Sequence, residues 1–444
     1  MGPETPLWSS DRQPRSEPGA LPDRAAVVVV GGGAAGFMAA IIAAEAGVRD
    51  IHVLEATAEP LQKVRISGGG RCNVTHACWD PRSLVGHYPR GQKALRGPFA
   101  RFACGDAVAW FAEHGLDLVE EADGRLFPRS NRSSSVVTAL RQAARRAGVT
   151  VHLGTSAQQV ARREGGFALQ VRVSGASTLP LLAERLVLAT GGHPSGRRLA
   201  VSLGHTQVPP VPSLFTLALE AQALTSLAGV VMDPVQLTLE LPDGSRVQQD
   251  GPVLITHWGL SGPATLRLTA FAARALHAAR YRAQLLVDWT GGRPEQQLTA
   301  LLAAARSDQA KRQLANARPW PELSRRLWLH LLQSQGVDPA QRWADLTRRN
   351  QQALVQALSR SRYGVRGRGP FGEEFVSAGG VPLDELSTAR MESRSVPGLY
   401  MAGELLDVDG VTGGFNFQHC WTSGWLAGRA IASASQTGIC QFGI

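Results

Sequence analysis

Gly31-Gly32-Gly33-Ala34-Ala35-Gly36 sets glycines at the first, third and sixth positions, behind Val27–Val30 and ahead of an apolar, helix-forming run. Each of the three has its own task. Gly31 permits a tight strand-to-helix turn, Gly33 leaves room for a pyrophosphate against the backbone, and Gly36 lets helix and strand approach closely. The helix start, at Ala34 and Ala35, then offers N–H groups and the positive end of the helix dipole to the phosphates. Glu55 follows Gly36 by 19 residues, at the end of the apolar run Ile51–Leu54, where a carboxylate accepts hydrogen bonds from an adenosine ribose. The pattern is that of a dinucleotide site. It does not separate NAD from FAD, which share the ADP half.

Three further stretches bear on that distinction. Lys63 opens a glycine-rich connection to His76 that contains Ser67-Gly68-Gly69-Gly70-Arg71-Cys72-Asn73. Three glycines between a serine and an arginine suit backbone wrapped around an anion or a flat ring, with Arg71 toward a pyrophosphate and Asn73 toward a ring edge. Cys72 has no partner in sequence and reads more readily as a packed thiol than as a redox group. A second apolar strand, Leu186–Ala189, runs into Thr190-Gly191-Gly192. Near the end of the chain Val396–Met401 runs into Ala402-Gly403-Glu404, and Gly413-Gly414-Phe415-Asn416 then precedes a helical pattern, Trp421–Ala432. Glu404 is placed to bond a ribityl chain. A Gly-Gly turn at a helix start supplies N–H donors to the side of a flavin that gains negative charge on reduction. NAD has neither need, so this ending favours FAD, held without a covalent bond. His419 and His257 are the candidate proton donors, each with a structural histidine as the competing reading. Asp407 and Asp409 lack a nearby histidine or third carboxylate, and no metal site is expected.

These groups require a βαβ unit over residues 25–55, helices near Asp106–His114 and Val136–Ala147, and an alternating strand at Phe167–Val173, with which Val151–Leu153 and Val160 are expected to pair. From about Arg198 the texture changes. Proline-rich Val208–Pro212 marks a boundary, Leu237–Leu241 meets a Pro242-Asp243-Gly244 hairpin turn, Tyr281–Val287 reads as a strand, and leucines recur at helical spacing beyond Leu298. The glycine-rich texture returns at Arg366. The expected plan is a loose tail over 1–24 and a nucleotide-binding domain in two pieces, 25–198 and 366–436. An insert, part β and part helical, fills 199–365, and a short tail runs over 437–444. Val396–Met401 is expected to join the sheet beside Ala25–Val30.

Composition closes off other classes. Over 444 residues, 44% hydrophobic and 18% charged content excludes wholesale disorder, and the five cysteines lack any C-x-x-C pattern. The net charge of +10 invites a nucleic-acid partner, yet only three of the 46 basic residues are lysines and the arginines are spread along the chain. A small-molecule substrate is the expected partner, with a tRNA-modifying flavoenzyme or a non-catalytic flavin-binding protein as the alternatives. The uncharged run Ala25–Ala44 breaks at its glycines into strand and helix and is not a membrane span, and no export signal stands at the start, so the cytoplasm is expected. Oligomeric state has no signature here. A second strand–G-x-G-x-x-G–helix unit is absent, so NADH or NADPH is expected as a transient electron donor.

Taken together, Gly31–Gly36, Ser67–Asn73, Phe375–Val381, Ala402–Asp407 and Gly410–Gly424 resemble the HI0933-like (YhiN/BaiN) family of flavoproteins, over about residues 25–432. The resemblance implies an α/β fold: a two-piece Rossmann-like FAD-binding domain with an inserted β-barrel-like and helical domain. It also implies bound FAD and an NAD(P)/FAD-dependent oxidoreductase, with one member linked to reduction of a bile-acid enone. The sequence departs after Thr190-Gly191-Gly192, where His193-Pro194-Ser195-Gly196 replaces a longer family segment.

Overall fold

The computed structural model describes residues 21–175, 178–369 and 376–439. Phe375, the tail up to residue 20 and the last five residues lie outside them. Uncharged β-branched runs build a parallel sheet. Strand β1 (Arg24–Val30) passes through the glycine turn into helix α1 (Ala34–Glu45), and the chain returns as β2 (Ile51–Leu54) and then β3 (Thr150–His152). Between β2 and β3 lie helices Cys104–Glu113 and Ser133–Ala147, the latter ended by Gly148 in the left-handed region (φ 81°). Strand β4 (Thr178–Leu188) pairs with the other edge of β1. It also carries an antiparallel extension, Gly166–Val173 with Thr155–Arg163.

The chain then leaves for a closed six-stranded barrel: β5 (Leu217–Leu219), β6 (Val231–Glu240), β7 (Arg246–Ile255), β8 (Gly259–Ser261), β9 (Ala283–Asp288) and β10 (Ser361–Arg368). The turn Pro242-Asp243-Gly244 joins β6 to β7, and β10 closes the barrel on β5. Helices Glu295–Asp308, Arg325–Ser334 and Arg348–Ser359 pack on it and share its own hydrophobic core, with Trp289, Trp328 and Trp343 wholly buried. The chain returns through β11 (Leu399–Met401) and ends in α2 (Phe415–Ile439).

Strand order in the parallel part is β11-β4-β1-β2-β3. The register sets Val30 opposite both Leu54 and Leu188, and Met401 opposite Leu188. The carboxyl ends of four strands therefore lie at one edge, which delivers Gly31, Glu55, Thr190 and Gly403 to the same place. Helix α1 has no polar face and is buried along its length, between the sheet and α2. Their contact is unusually close. A Cβ added at Gly424 or Gly428 of α2 would stand 2.6 Å from the Ala35 carbonyl oxygen or 2.7 Å from that of Ala39. This seam fastens the end of the chain to its beginning.

Three local expectations change. Strand β11 lies beside β4 rather than β1, because β2 and β4 already take both edges of β1. Val151 pairs with Val53 in the parallel sheet, while Val160 does pair with Leu169. The proline-rich Val208–Ser213 is itself a strand, antiparallel to Val376–Gly380, in a two-stranded sheet whose free edge tolerates proline.

Candidate functional site

The four strand ends enclose a cleft lined by Gly31–Ala35, Glu55, Lys63, Thr190, Gly191, Gly403 and Glu404, with Phe417 and Cys420 from α2. The glycines divide as their tasks require. A Cβ at Gly31 would stand 2.4 Å from the Ala189 carbonyl oxygen, and one at Gly36 would stand 2.0 Å from that of Gly31. At Gly33 nothing lies within 4 Å. Gly33 is also the N-cap of α1, which has no side-chain cap and no acidic residue in its first turn. An open, uncapped helix start is a ready anion site.

Glu55 is held in place at the rim. One carboxylate oxygen accepts from the Gly32 N–H (2.9 Å), and the other accepts from the Thr57 N–H (2.8 Å) and hydroxyl (2.7 Å). The oxygen bonded to Gly32 keeps a lone pair for a ribose hydroxyl. Thr57 had no motif to announce it. Glu55→Ala is expected to weaken FAD binding by about 1–3 kcal/mol, the order for a lost charged acceptor. Titration of the apoprotein with FAD measures this, and unchanged affinity would refute the ribose role.

At the other end of the cleft Glu404 pairs with Lys63 (2.5 Å) across 341 positions of sequence. Burial pulls the Lys63 ammonium toward deprotonation, but the Glu404 carboxylate outweighs it and the pKa is raised. The Thr190 hydroxyl oxygen is buried against Gly196, with no hydrogen-bond partner. Open space at the uncapped Gly33 turn and carboxylates at both ends of the cleft fit an extended dinucleotide.

Two loops continue from the Glu404 end. The segment Ser67–Asn73 turns through left-handed Gly68, Gly69, Gly70 and Cys72. The Cys72 thiol is buried and pushed up to about 12 by desolvation, which suits packing and not redox chemistry. The Asn73 amide, oriented by its partners, donates to the Thr75 carbonyl (2.9 Å) and accepts from the Gly414 N–H (3.0 Å). It thus ties this loop to the Gly413-Gly414 turn. Asn416 closes the second loop by bonding both the N–H (2.8 Å) and the carbonyl (2.9 Å) of Gly410. Phe415 stacks against His87 (centroids 4.1 Å apart) and also against His76 (4.8 Å). Arg71 is engaged elsewhere: it pairs with Glu121, bonds Asn131 (2.5 Å) and lies 3.9 Å over the Phe127 ring.

The second loop is fastened to the barrel by ion pairs. Buried Arg90 makes a two-pronged bond to Asp409 and donates to the Ala270 carbonyl (2.6 Å), while Ser213 donates to Asp409 (2.8 Å). Arg274 grips both oxygens of Asp407 (2.5 and 2.6 Å). Both aspartates are thus spent on arginines. Among the described residues no cluster of histidine, cysteine and carboxylate could hold a metal. Arg90 and Arg274 were not foreseen; the signal was two carboxylates in a glycine-rich stretch that needed charge partners.

His419 is buried on α2. Its Nε2–H donates to the Gly403 carbonyl (3.3 Å), and its Nδ1 is buried without a partner. Burial lowers its pKa to about 4, against the weaker opposing effect of the Gly403 carbonyl. It braces the Gly403 loop from behind. Between the usual pKa of 6.5 and about 4 the unfolded chain binds a proton that the native chain refuses. This contribution to stability is therefore complete above 6.5 and is lost as pH falls through about 4. His419→Gln is expected to flatten that part of the acid limb in denaturant titrations, and an unchanged limb would refute the assignment. His257 lies in the exposed turn between β7 and β8. Among the described residues no hydrogen bond or ion pair joins it to the cleft.

A parallel sheet with a dinucleotide-shaped cleft at its carboxyl edge, a returning second segment and a barrel insert define a flavoprotein oxidoreductase. The chain belongs to the HI0933-like family: residues 25–430 match the HI0933-like protein Rossmann domain. It is 31% identical over 417 residues to the 3-dehydro-bile acid delta(4,6)-reductase of Clostridium scindens, covering 89% of this chain and 96% of that protein. It is 30% identical over 421 residues to the ribosomal RNA dihydrouridine synthase of Escherichia coli K12, covering 91% and 97%. Among solved structures, 3-ketosteroid delta1-dehydrogenase from Sterolibacterium denitrificans shares the fold, with a TM-score of 0.50 at 14% identity over 93% of this chain and 100% of that one. No helix among the described residues is long and apolar enough to cross a membrane.

Proposed function

We propose that the protein is an FAD-dependent reductase of ring carbon–carbon double bonds conjugated to a carbonyl, drawing on NADH or NADPH. The observation that carries this reading is the placing of Glu55 and Glu404 on one cleft with the open Gly33 turn beside them. Glu55 would hold the adenosine ribose, Gly33 and the start of α1 the pyrophosphate, Glu404 and Lys63 the ribityl end, and Gly413-Gly414 the pyrimidine edge. When bound, FAD supplies hydride transfer at N5. His419 braces Gly403, and the Arg90–Asp409 pair keeps the second loop in register with the barrel. Overall, NAD(P)H and one proton are consumed. Hydride adds to the carbon β to the carbonyl, the proton adds to the α carbon, and NAD(P)+ leaves.

The names of the bacterial relatives support this reaction class, since the enone of a 3-oxo steroid and the uracil ring present the same reacting unit. A small enone is the first substrate version. Uridine in ribosomal RNA is the second, favoured by the net charge of +10 and by the Escherichia coli relative. The test is anaerobic reduction by NADH and by NADPH, followed by reoxidation with enones and with unmodified ribosomal RNA. Bleaching of the flavin and its return with one of these oxidants is expected. A flavin that neither nicotinamide reduces would leave the protein a non-catalytic binder and overturn the reading.

A further inference from the structure

The chain between Trp79 and Arg101 is a strap with two faces. Its inner face serves the second loop: His87 stacks on Phe415, the Tyr88 hydroxyl donates to the Phe415 carbonyl (2.7 Å), and Arg90 holds Asp409. Its outer face carries Arg82, Lys93, Arg96 and Arg101, all exposed, against one carboxylate, Asp80; of the four, Arg101 is turned back to donate to the Ala389 carbonyl (2.5 Å). Asp80 is occupied in capping the short helix Pro81–Leu84, where it accepts from the Arg82 N–H (3.0 Å). Among the described residues none of these four cations makes an ion pair, whereas the cations of the inner face and its neighbours, Arg90 and Arg274, are fully paired. Arg82 and Arg96 line one concavity together with Asp80, Pro81 and Ala100. Trp79, next to Asp80 in the chain, is half exposed at 53%.

Two guanidiniums without ion pairs on one concavity, with an exposed indole next in the chain, are the chemistry of a single-stranded polynucleotide site: phosphates on the arginines, an unpaired base on the aromatic ring. The position matters as much as the composition. The same strap that offers these cations outward contacts the Gly413–Asn416 loop inward, so a polymer lying on it would run next to the flavin end of the cleft. We propose that the outer face of residues 79–101 is the docking surface for the sugar–phosphate backbone of an RNA substrate. This rests on the uridine version of the proposed function.

The experiment uses the flavin-loaded protein and an in-vitro transcript of large-subunit ribosomal RNA. Arg82→Glu/Arg96→Glu is compared with Arg141→Glu/Arg145→Glu, which makes the same charge change on the exposed face of helix Ser133–Ala147. The strap variant is expected to bind the transcript at least about 30-fold more weakly and to lower the salt-dependence slope by about 2, while the helix variant stays within about threefold of the unmutated protein. FAD content and NADH oxidation with a small enone should be the same in all three. Equal weakening by both variants, or anionic phospholipid vesicles bound as tightly as the transcript, would overturn the surface. Dihydrouridine in ribosomal RNA is then measured in cells that express each form. Full dihydrouridine with the strap variant means that the surface is wrong and the uridine reading right. No dihydrouridine with the unmutated protein overturns both.

Discussion

A Gly33→Val variant folds and carries no FAD. The turn itself accepts the change: Gly33 has φ −90°, which any residue adopts, and an added Cβ meets nothing within 4 Å. Loss of stability is expected to stay within about 1 kcal/mol. The space that the side chain fills is the space the pyrophosphate needs, so flavin absorbance should vanish while the unfolding transition stays in place. Gly36→Val is the contrasting case. Its Cβ overlaps the Gly31 carbonyl oxygen, so it should fail to fold. Flavin retained by Gly33→Val would remove the pyrophosphate from this turn.

Asp409→Ala is expected to destabilise the protein by about 3–5 kcal/mol, because buried Arg90 would be left without its carboxylate. The penalty comes from the stranded charge, so the double variant Arg90→Met/Asp409→Leu should recover much of it. Denaturant unfolding of the three proteins measures both. If the double variant is as unstable as the single one, the cost lies in the shape of the junction and not in the charge.

The parts of the fold carried by short sequence intervals were legible. The valines before Gly31 and the apolar runs before Glu55, Thr190 and Gly403 each announce a strand, and the glycines and acids that follow announce what its end presents. All four strand ends do meet at one edge. The order of the strands was not legible, because nothing in Leu399–Met401 distinguishes an edge against β4 from one against β1. Val208–Ser213 was hidden by its prolines, which remove donors that a free strand edge does not need. The barrel was visible as one hairpin and the strand near Tyr281–Val287, but its closure pairs Leu217 with Arg368, and no local pattern reports a contact of that range. The same limit applies to side chains. Arg71 looked available to a cofactor because its partners Glu121 and Asn131 are elsewhere in the chain. Arg90 was passed over because Asp409 lies 319 positions away. His419 was found by its place in the C-terminal motif, yet only its burial shows that it braces Gly403.

The central claim is that a single FAD spans the Gly31–Gly36 turn and the returning Gly403–Asn416 segment. The most direct test is to denature the purified protein, then identify and quantify what is released. FAD, intact and close to one per chain, is the predicted result. FMN, a nicotinamide dinucleotide, or a folded colourless protein that takes up no added FAD would contradict it.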